Sequence, residues 1–295
     1  MEYPPVTLYI PAYNAGKYLQ QTLPSICSLE YPSLHDIYII NDGSDDTDIL
    51  QELQDNFNIK VINKENNEGL AAARNTALSI CKTELIASLD ADCKPEKYWL
   101  KRLVEKYLEF SSENVAGIGG RLEENFREKL PDLFRARHMI QHHGSQPVFD
   151  PEFLAGNNTL YNVNILKKAG NYPENGIYRT NHEDFAISQK VKKLGYHLYY
   201  EPSALVYHLR RDTLNSIFKT FWRWYFLFHP EPNSLYNILN KFRRQWIHHA
   251  LPWIVQDIKA GKWCLTGADI LFPFYQFCYD WQYYHRSNKY ENSPN

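Results

Sequence analysis

An α/β architecture is what the sequence predicts: a mainly parallel sheet flanked by helices, followed by an aromatic-rich, mostly helical extension. Three observations predict it. Short β-rich runs alternate with helical stretches in the first ninety-odd residues, each run ends in a polar or carboxylate-bearing turn, and six of the seven Trp lie after residue 220. Strands alternating with helices imply βαβ units with right-handed crossovers, and in such sheets ligands bind beyond the carboxyl ends of the strands.

The elements follow in order. Val6–Ile10 is a strand closed by Pro11-Ala12-Tyr13-Asn14-Ala15-Gly16, and Leu19, Leu23 and Ile26 then repeat at helical spacing. Asp36–Ile40 is a second strand, and Asn41-Asp42-Gly43-Ser44-Asp45-Asp46 leads into a helix with Leu50, Leu53 and Phe57 on one face. Carboxylates at 45 and 46 suit a first helical turn, where unpaired N–H groups favour negative charge. Ile59–Ile62, the turn Asn66–Gly69 and the Ala-rich helix Leu70–Ile80 repeat the cycle, and Leu85–Leu89 ends in Asp90-Ala91-Asp92. Beyond residue 95 the pattern predicts a helix near Lys97–Phe110, a strand at Val115–Ile118, and a basic, His-rich connection over Arg121–His143 of no evident structure. Regularity returns at Phe153–Asn162, at a helix from Asp184 to Leu194 stopped by Gly195, and at two β-rich runs, Tyr196–Glu201 and Ala204–His208.

Composition narrows the function classes. The 295 residues, 44% hydrophobic and 22% charged, suit one large or two modest globular domains and exclude disordered and fibrous classes. With 32 Lys+Arg against 34 Asp+Glu the formal charge is −2, so no global basic field exists to hold nucleic acid. Five scattered cysteines with no CxxC pair suggest neither a disulfide framework nor a zinc site. The N-terminal residues lack the pattern of a signal peptide, and no apolar stretch reaches the length of a bilayer span. These features predict a reduced, cytoplasmic chain, soluble or peripheral on the inner face of a membrane.

Several strand-end residues can carry chemistry. Asp90 and Asp92 place two hard carboxylate ligands near one point, suited to Mg²⁺ or Mn²⁺ bridging phosphate oxygens, although they would equally cap the helix near Pro95. Asp42 could accept from the imide N–H of uracil or the N1–H of guanine, yet Asp-Gly-Ser is also an ordinary turn. Tyr13 offers a ring to a base or to the core. Glu183-Asp184 suits a general base or a helix start, and His208, ending a strand, suits a metal ligand or a structural histidine.

Taken in order, VTLYIPAYN, NDGSDD, NNEGLAAARN and LIASLDADC resemble the N-terminal half of the family 2 glycosyltransferases, whose catalytic domain has the GT-A fold. FLAGNNTLYN, HEDF and VYH are similar to that family's acceptor-side half, so the likeness covers about residues 5–212. It implies a mixed, mainly parallel GT-A sheet over residues 1–212, with a donor half at 1–95, an acceptor half at 96–212, and an extension at 213–295. By this resemblance Pro11 and Tyr13 contact the nucleoside, Asp42 reads the base, and Arg74 helps hold the nucleotide. Asp90 and Asp92, with Ala91 between them, match the DxD motif that binds the sugar diphosphate and its divalent cation, Mn²⁺ or Mg²⁺, with His208 as a further metal contact. Asp184 aligns with the catalytic base, Glu183 is its alternative, and Gly156 and Asn157 lie beside sugar and acceptor.

The implied reaction is single displacement with inversion, from a nucleotide diphosphate sugar, UDP-linked by resemblance, to a glycan, lipid-linked or protein hydroxyl. Processive members carry Gln-x-x-Arg-Trp followed by membrane helices; Arg223-Trp224 is present without the Gln, so single-sugar transfer is expected. PAYNAG lacks the Gly-rich loop of nucleotidyltransferases and the GxGxxG of dinucleotide enzymes. A non-catalytic carbohydrate or membrane-surface module with the same fold is the alternative.

The extension is open to three readings. Seven of the eleven residues from Phe218 to Phe228 are aromatic, with Lys219 and Arg223 interleaved. Such a segment suits an anionic membrane surface or a lipid-linked or carbohydrate acceptor, and equally a small helical subdomain packing its rings against the catalytic core or a second protomer. Leu271–Trp281 is apolar enough to bury and too short to span.

Overall fold

The computed structural model describes residues 2–225 and 232–291; Phe226 and Phe228 of the aromatic run lie outside them. Two compact units emerge. The first comprises residues 1–125 and 141–209, the second 126–140 and 210–295.

The first unit begins with β1 (Val6–Ala12), α1 (Gly16–Cys27), β2 (Leu34–Asn41), α2 (Thr47–Asn56), β3 (Lys60–Asn63), α3 (Leu70–Ile80) and β4 (Leu85–Leu89). The pairs β1–β2, β2–β3 and β1–β4 are all parallel, so their carboxyl ends share one edge. Side chains alternate as a two-residue period demands. Leu8, Ile10, Ile37, Ile39, Leu85 and Ala87 face the core under α1 and α2, whereas Tyr9, Tyr38, Ile40 and Ile86 face the core under α3.

A short β5 (Cys93–Pro95) and α4 (Trp99–Glu109) follow, then β6 (Val115–Glu124). The strand expected at 115–118 therefore continues for six more residues, through Gly119 and Gly120. They are needed small: a Cβ on Gly120 would stand 2.2 Å from the Ala204 carbonyl oxygen. The rest of the unit is β7 (Val148–Phe149), β8 (Asn158–Asn162), α6 (Val163–Lys168), α7 (Glu183–Lys193) and β9 (His197–His208), with α5 (Leu130–His138) belonging to the second unit.

The sheet order is β3-β2-β1-β4-β8-β6-β9-β5, with β7 on β9. β8 runs antiparallel to β4 and β6, and β6 pairs parallel with β9, which makes the sheet mixed. This arrangement brings the start of β8 and the ends of β6 and β9 to the edge where β1, β2 and β4 finish. The two β-rich runs at 196–208 are one strand: the register steps from Gly120↔Glu201 to Arg121↔Leu205, so Pro202 falls in a bulge where its missing N–H costs no ladder bond.

Residues 126–140, read from the sequence as part of the first domain, group instead with α8 (Leu214–Tyr225), α9 (Leu235–Gln245), α10 (Leu251–Lys259) and α11 (Thr266–Glu291). The cause is apolar: Phe134 and Met139 are buried in one cluster with Ile217, Phe218, Phe221 and Phe272. Edge-to-face ring contacts bind it, Phe134 to Phe218 at 5.1 Å and Phe221 to Phe272 at 4.7 Å, which answers the aromatic excess of this region with a core. No described helix is long and apolar enough to cross a membrane.

Candidate active site

The strand edge gathers the carboxylates. Asp90 leaves the end of β4, and the antiparallel register Leu89↔Asn158 puts Gly156 and Asn157 beside it. α7 then delivers Glu183 and Asp184 in its first turn, behind His182, whose φ of +61° turns the chain sharply before the helix.

Arg74 of α3 is the hub. It is 1% exposed, yet its guanidinium donates from Nε to Glu183 Oε1 at 3.2 Å, from Nη1 to Ser88 Oγ at 2.6 Å and to the Gly156 carbonyl at 2.9 Å, and from Nη2 to Asp90 Oδ1 at 3.3 Å. Arg74, expected to help hold the nucleotide, is thus buried here with its donors directed at Glu183, Asp90, Ser88 and the Gly156 carbonyl. Gly156 is small for the same reason, since a Cβ there would meet Arg74 Nη2 at 2.6 Å.

The adjacent acids separate by environment. Glu183 is buried, and burial followed by the neighbouring Asp184 pushes its carboxyl up to about 7 against the opposite pull of Arg74. Asp184 is partly exposed; its Oδ2 accepts from the Gly156 N–H at 3.0 Å and its Oδ1 from the Phe185 N–H at 2.7 Å. Asp90 senses Arg74, Asp92, His208 and Asp184 together, and desolvation lifts its carboxyl above the ordinary range.

Asp92 and His208 meet through β5 and β9. Cys93 is in register with His208, and His208 Nε2 lies 3.2 Å from Asp92 Oδ2. The other ring nitrogen, Nδ1, lies 3.0 Å from Glu124 at the end of β6. Burial lowers the imidazole, and the two carboxylates flanking it more than offset this, raising it to about 9. Asp90 and Asp92 are hard oxygen donors and His208 an imidazole whose far nitrogen is held by a third carboxylate, donor types suited to a divalent cation; the trio of ligand atoms that converges within 4.8 Å among the described residues is a different one, His138, Asp257 and Asp269 in the helical unit. Glu124 escaped the sequence reading because its strand was expected to stop at 118.

The donor-side residues are less open than expected. Pro11 is buried inside β1, the Ala91 carbonyl accepts from the Thr22 hydroxyl at 3.0 Å, and Tyr13 stands beyond the strand 53% exposed. Asp42 is 3% exposed and already accepts from the Glu68 and Gly69 N–H groups at 3.0 and 2.7 Å, with Lys64 Nζ at 3.0 Å. It fixes the turn that opens α3. Gly69 holds φ +101° there, and a Cβ would strike Arg179 Cγ at 2.4 Å. Asn157 gives its amide nitrogen to Gln141 Oε1 at 3.0 Å, and its buried Oδ1 has no hydrogen-bond partner among the described residues.

The chain is similar to several known proteins. The chain is 29% identical over 224 residues to the poly-beta-1,6-N-acetyl-D-glucosamine synthase of Staphylococcus epidermidis, covering 74% of this chain and 53% of that protein. It is 31% identical over 124 residues to glycosyltransferase AglE of Haloferax volcanii, covering 41% of this chain and 40% of AglE. It thus spans about half the length or less of these relatives. Among solved structures, S. aureus TarS in complex with UDP-GlcNAc superposes with a TM-score of 0.55 at 17% identity, covering 74% of this chain and 64% of that one. GalNAc-T7 with UDP, GalNAc and Mn²⁺ superposes with a TM-score of 0.58 at 18% identity, covering 83% and 51%. These likenesses establish the GT-A fold. The model of glycosyl transferase family 2 matches residues 7–170, more than half of the chain, and the protein belongs to that family.

Proposed function

We propose that this protein is an inverting glycosyltransferase that moves a single sugar from a nucleotide diphosphate sugar, with UDP as the carrier, to a hydroxyl acceptor. The observation that carries the proposal is that Asp90, at the end of β4, lies within electrostatic reach of Asp92, His208 and Asp184, while the buried Arg74 holds Asp90 and Glu183. The UDP reading is supported by the UDP-GlcNAc and UDP in the TarS and GalNAc-T7 structures.

Asp184 is the proposed base, because it is the member of the acidic pair with access to solvent. The Gly156 and Phe185 N–H groups orient its carboxylate, which takes the proton of the acceptor hydroxyl. The acceptor oxygen bonds to the anomeric carbon as the bond to the diphosphate oxygen breaks on the opposite face. Asp90, Asp92 and His208 would hold a divalent cation, Mn²⁺ or Mg²⁺, which when bound would offset charge on the leaving diphosphate. The exposed Tyr13 ring is the proposed platform for the base, and the unpartnered Asn157 Oδ1 the proposed acceptor for a sugar hydroxyl. Single transfer is supported by the Arg223-Trp224 pair standing without the Gln of the processive pattern.

The test is UDP release from a panel of UDP-sugars, with Mn²⁺, Mg²⁺ or chelator, by wild type, Asp92→Asn and Asp184→Asn. Metal-dependent turnover is expected, with a loss of about 10²- to 10⁴-fold in Asp184→Asn. Unchanged turnover in both variants would overturn the site, and absence of nucleotide binding would favour a non-catalytic module.

A further inference from the structure

The helical unit carries an apolar face that its own core leaves uncovered. α9, the π-helical turn Trp246–Ala250 and α10 form one continuous helical run from 235 to 259. Ile238, Lys241, Gln245, Ala250 and Asp257 are its buried positions. On the other side, in steps of four, stand Leu235, Leu239, Arg243, Ile247, Leu251 and Val255, every one exposed. A row spaced by four drifts around an ordinary α-helix, and the wider π turn at its centre counters that drift.

α11 adds a second row beside the first. Ile270, Leu271, Phe274 and Trp281 are exposed along it, and the Phe274 ring lies 5.4 Å from Phe242 and 5.9 Å from Trp246. The two rows therefore adjoin. Trp263, 65% exposed, stands at the turn between α10 and α11. A contiguous exposed apolar area of this kind marks an interaction surface.

The charge pattern selects the partner. Residues 232–286 contain three acids, Asp257, Asp269 and Asp280, and all three are buried. Asp280 meets Lys241 Nζ at 2.7 Å and Trp222 Nε1 at 2.8 Å, while Asp257 is paired with Arg137 and with His138, whose Nε2 also lies 3.4 Å from Asp269. What faces outward is all cationic: Arg243 within the apolar row, Lys259 and Lys262 at the end of α10, and Arg286 on α11. A second copy of this face would oppose cation to cation. An anionic lipid surface supplies what both features need, acyl chains for the Leu, Ile and Val row and phosphates for the Arg and Lys side chains.

We propose that the α9–α11 face is a membrane-docking surface that seats the protein on anionic phospholipid without spanning the bilayer. The proposal is independent of the transfer chemistry.

Sedimentation of the full chain with vesicles of phosphatidylcholine, with and without phosphatidylglycerol, tests it. Binding is expected only with the anionic lipid, falling as salt rises. Arg243→Gln and Lys259→Gln should each weaken partition about fivefold. Leu251→Glu with Val255→Glu should abolish it while leaving the thermal transition in place, because both side chains point away from the core. If the glutamate variant does not fold, the two Gln variants decide. Equal binding to neutral vesicles, no binding to either, or a concentration-dependent dimer that the glutamate variant dissolves and vesicles do not capture would each overturn the proposal.

Discussion

Arg74 and Glu183 form a buried ion pair, Nε to Oε1 at 3.2 Å, across 109 residues of chain. Both are almost wholly inaccessible, so the attraction acts where water cannot screen it, and either partner alone would be a desolvated charge. The pair ties the helix after β3 to the helix before β9, and Asp90 is joined to it through the same guanidinium.

Removing the arginine should therefore cost more stability than an exposed salt bridge could. Above the titration of Glu183, at about pH 8, Arg74→Ala is expected to lower unfolding free energy by about 3–5 kcal/mol, leaving Glu183 and Asp90 uncompensated. Arg74→Lys should recover little, since an ammonium cannot reach Glu183, Gly156 and Asp90 from one plane. Urea unfolding of the three proteins measures this, and a change below about 1 kcal/mol for Arg74→Ala would refute the hub.

Glu183 predicts a pH dependence. Its carboxyl titrates near 7 in the folded protein and near 4.5 in the unfolded chain, so within that window the folded state holds more protons. The group's contribution to stability consequently falls as pH rises from about 4.5 to about 7 and is constant outside that range. Glu183→Gln should flatten the stability profile between about pH 4.5 and about pH 7 relative to wild type. Parallel profiles would show that Glu183 is ionised throughout.

Glu124 predicts a metal effect at one remove. It touches the His208 ring on the nitrogen opposite to Asp92. Glu124→Gln should raise the Mn²⁺ concentration for half-maximal donor hydrolysis by about 10- to 100-fold, with the loss recovered at saturating metal. Calorimetric titration of Mn²⁺ in the presence of UDP should give the same ratio. A variant with unaltered metal affinity and a lowered maximal rate would place Glu124 in another role.

In the helical unit the corresponding test is Lys241. Its ammonium and the Asp280 carboxylate are 3% and 2% exposed, so Lys241→Met strands an acid and should cost about 3–5 kcal/mol. Adding Asp280→Asn should restore much of this, because the amide oxygen still accepts from Trp222. Equal losses in the single and double variants would show that shape, not charge, matters at this position.

How much of this was legible in the sequence depends on range. The first four strands were readable because two opposed periods, two for Leu8–Tyr9–Ile10 and about 3.6 for Leu19–Leu23–Ile26, are written locally. The carboxylates at strand ends followed from the rule that parallel strands deliver their loops to one edge. The hub did not follow, because Arg74 takes acceptors at 88, 90, 156 and 183, and no spacing encodes a meeting made by the sheet order. The full length of β6 was hidden by Gly119-Gly120, whose reason is a close approach of other chain segments, and Glu124 was hidden with it. α5 was hidden because its apolar partners lie after residue 210.

That last separation bears on synthesis. The helix containing Phe134 leaves the ribosome well before α8 and α11, which supply the rings around it, so for that interval it exposes an aromatic face with nothing to bury it. The sheet strands on either side can pair meanwhile, and the helical unit must wait for its last helix. A nascent chain released after β9 would carry α5 as an unsatisfied adhesive patch, the kind that holdase chaperones retain.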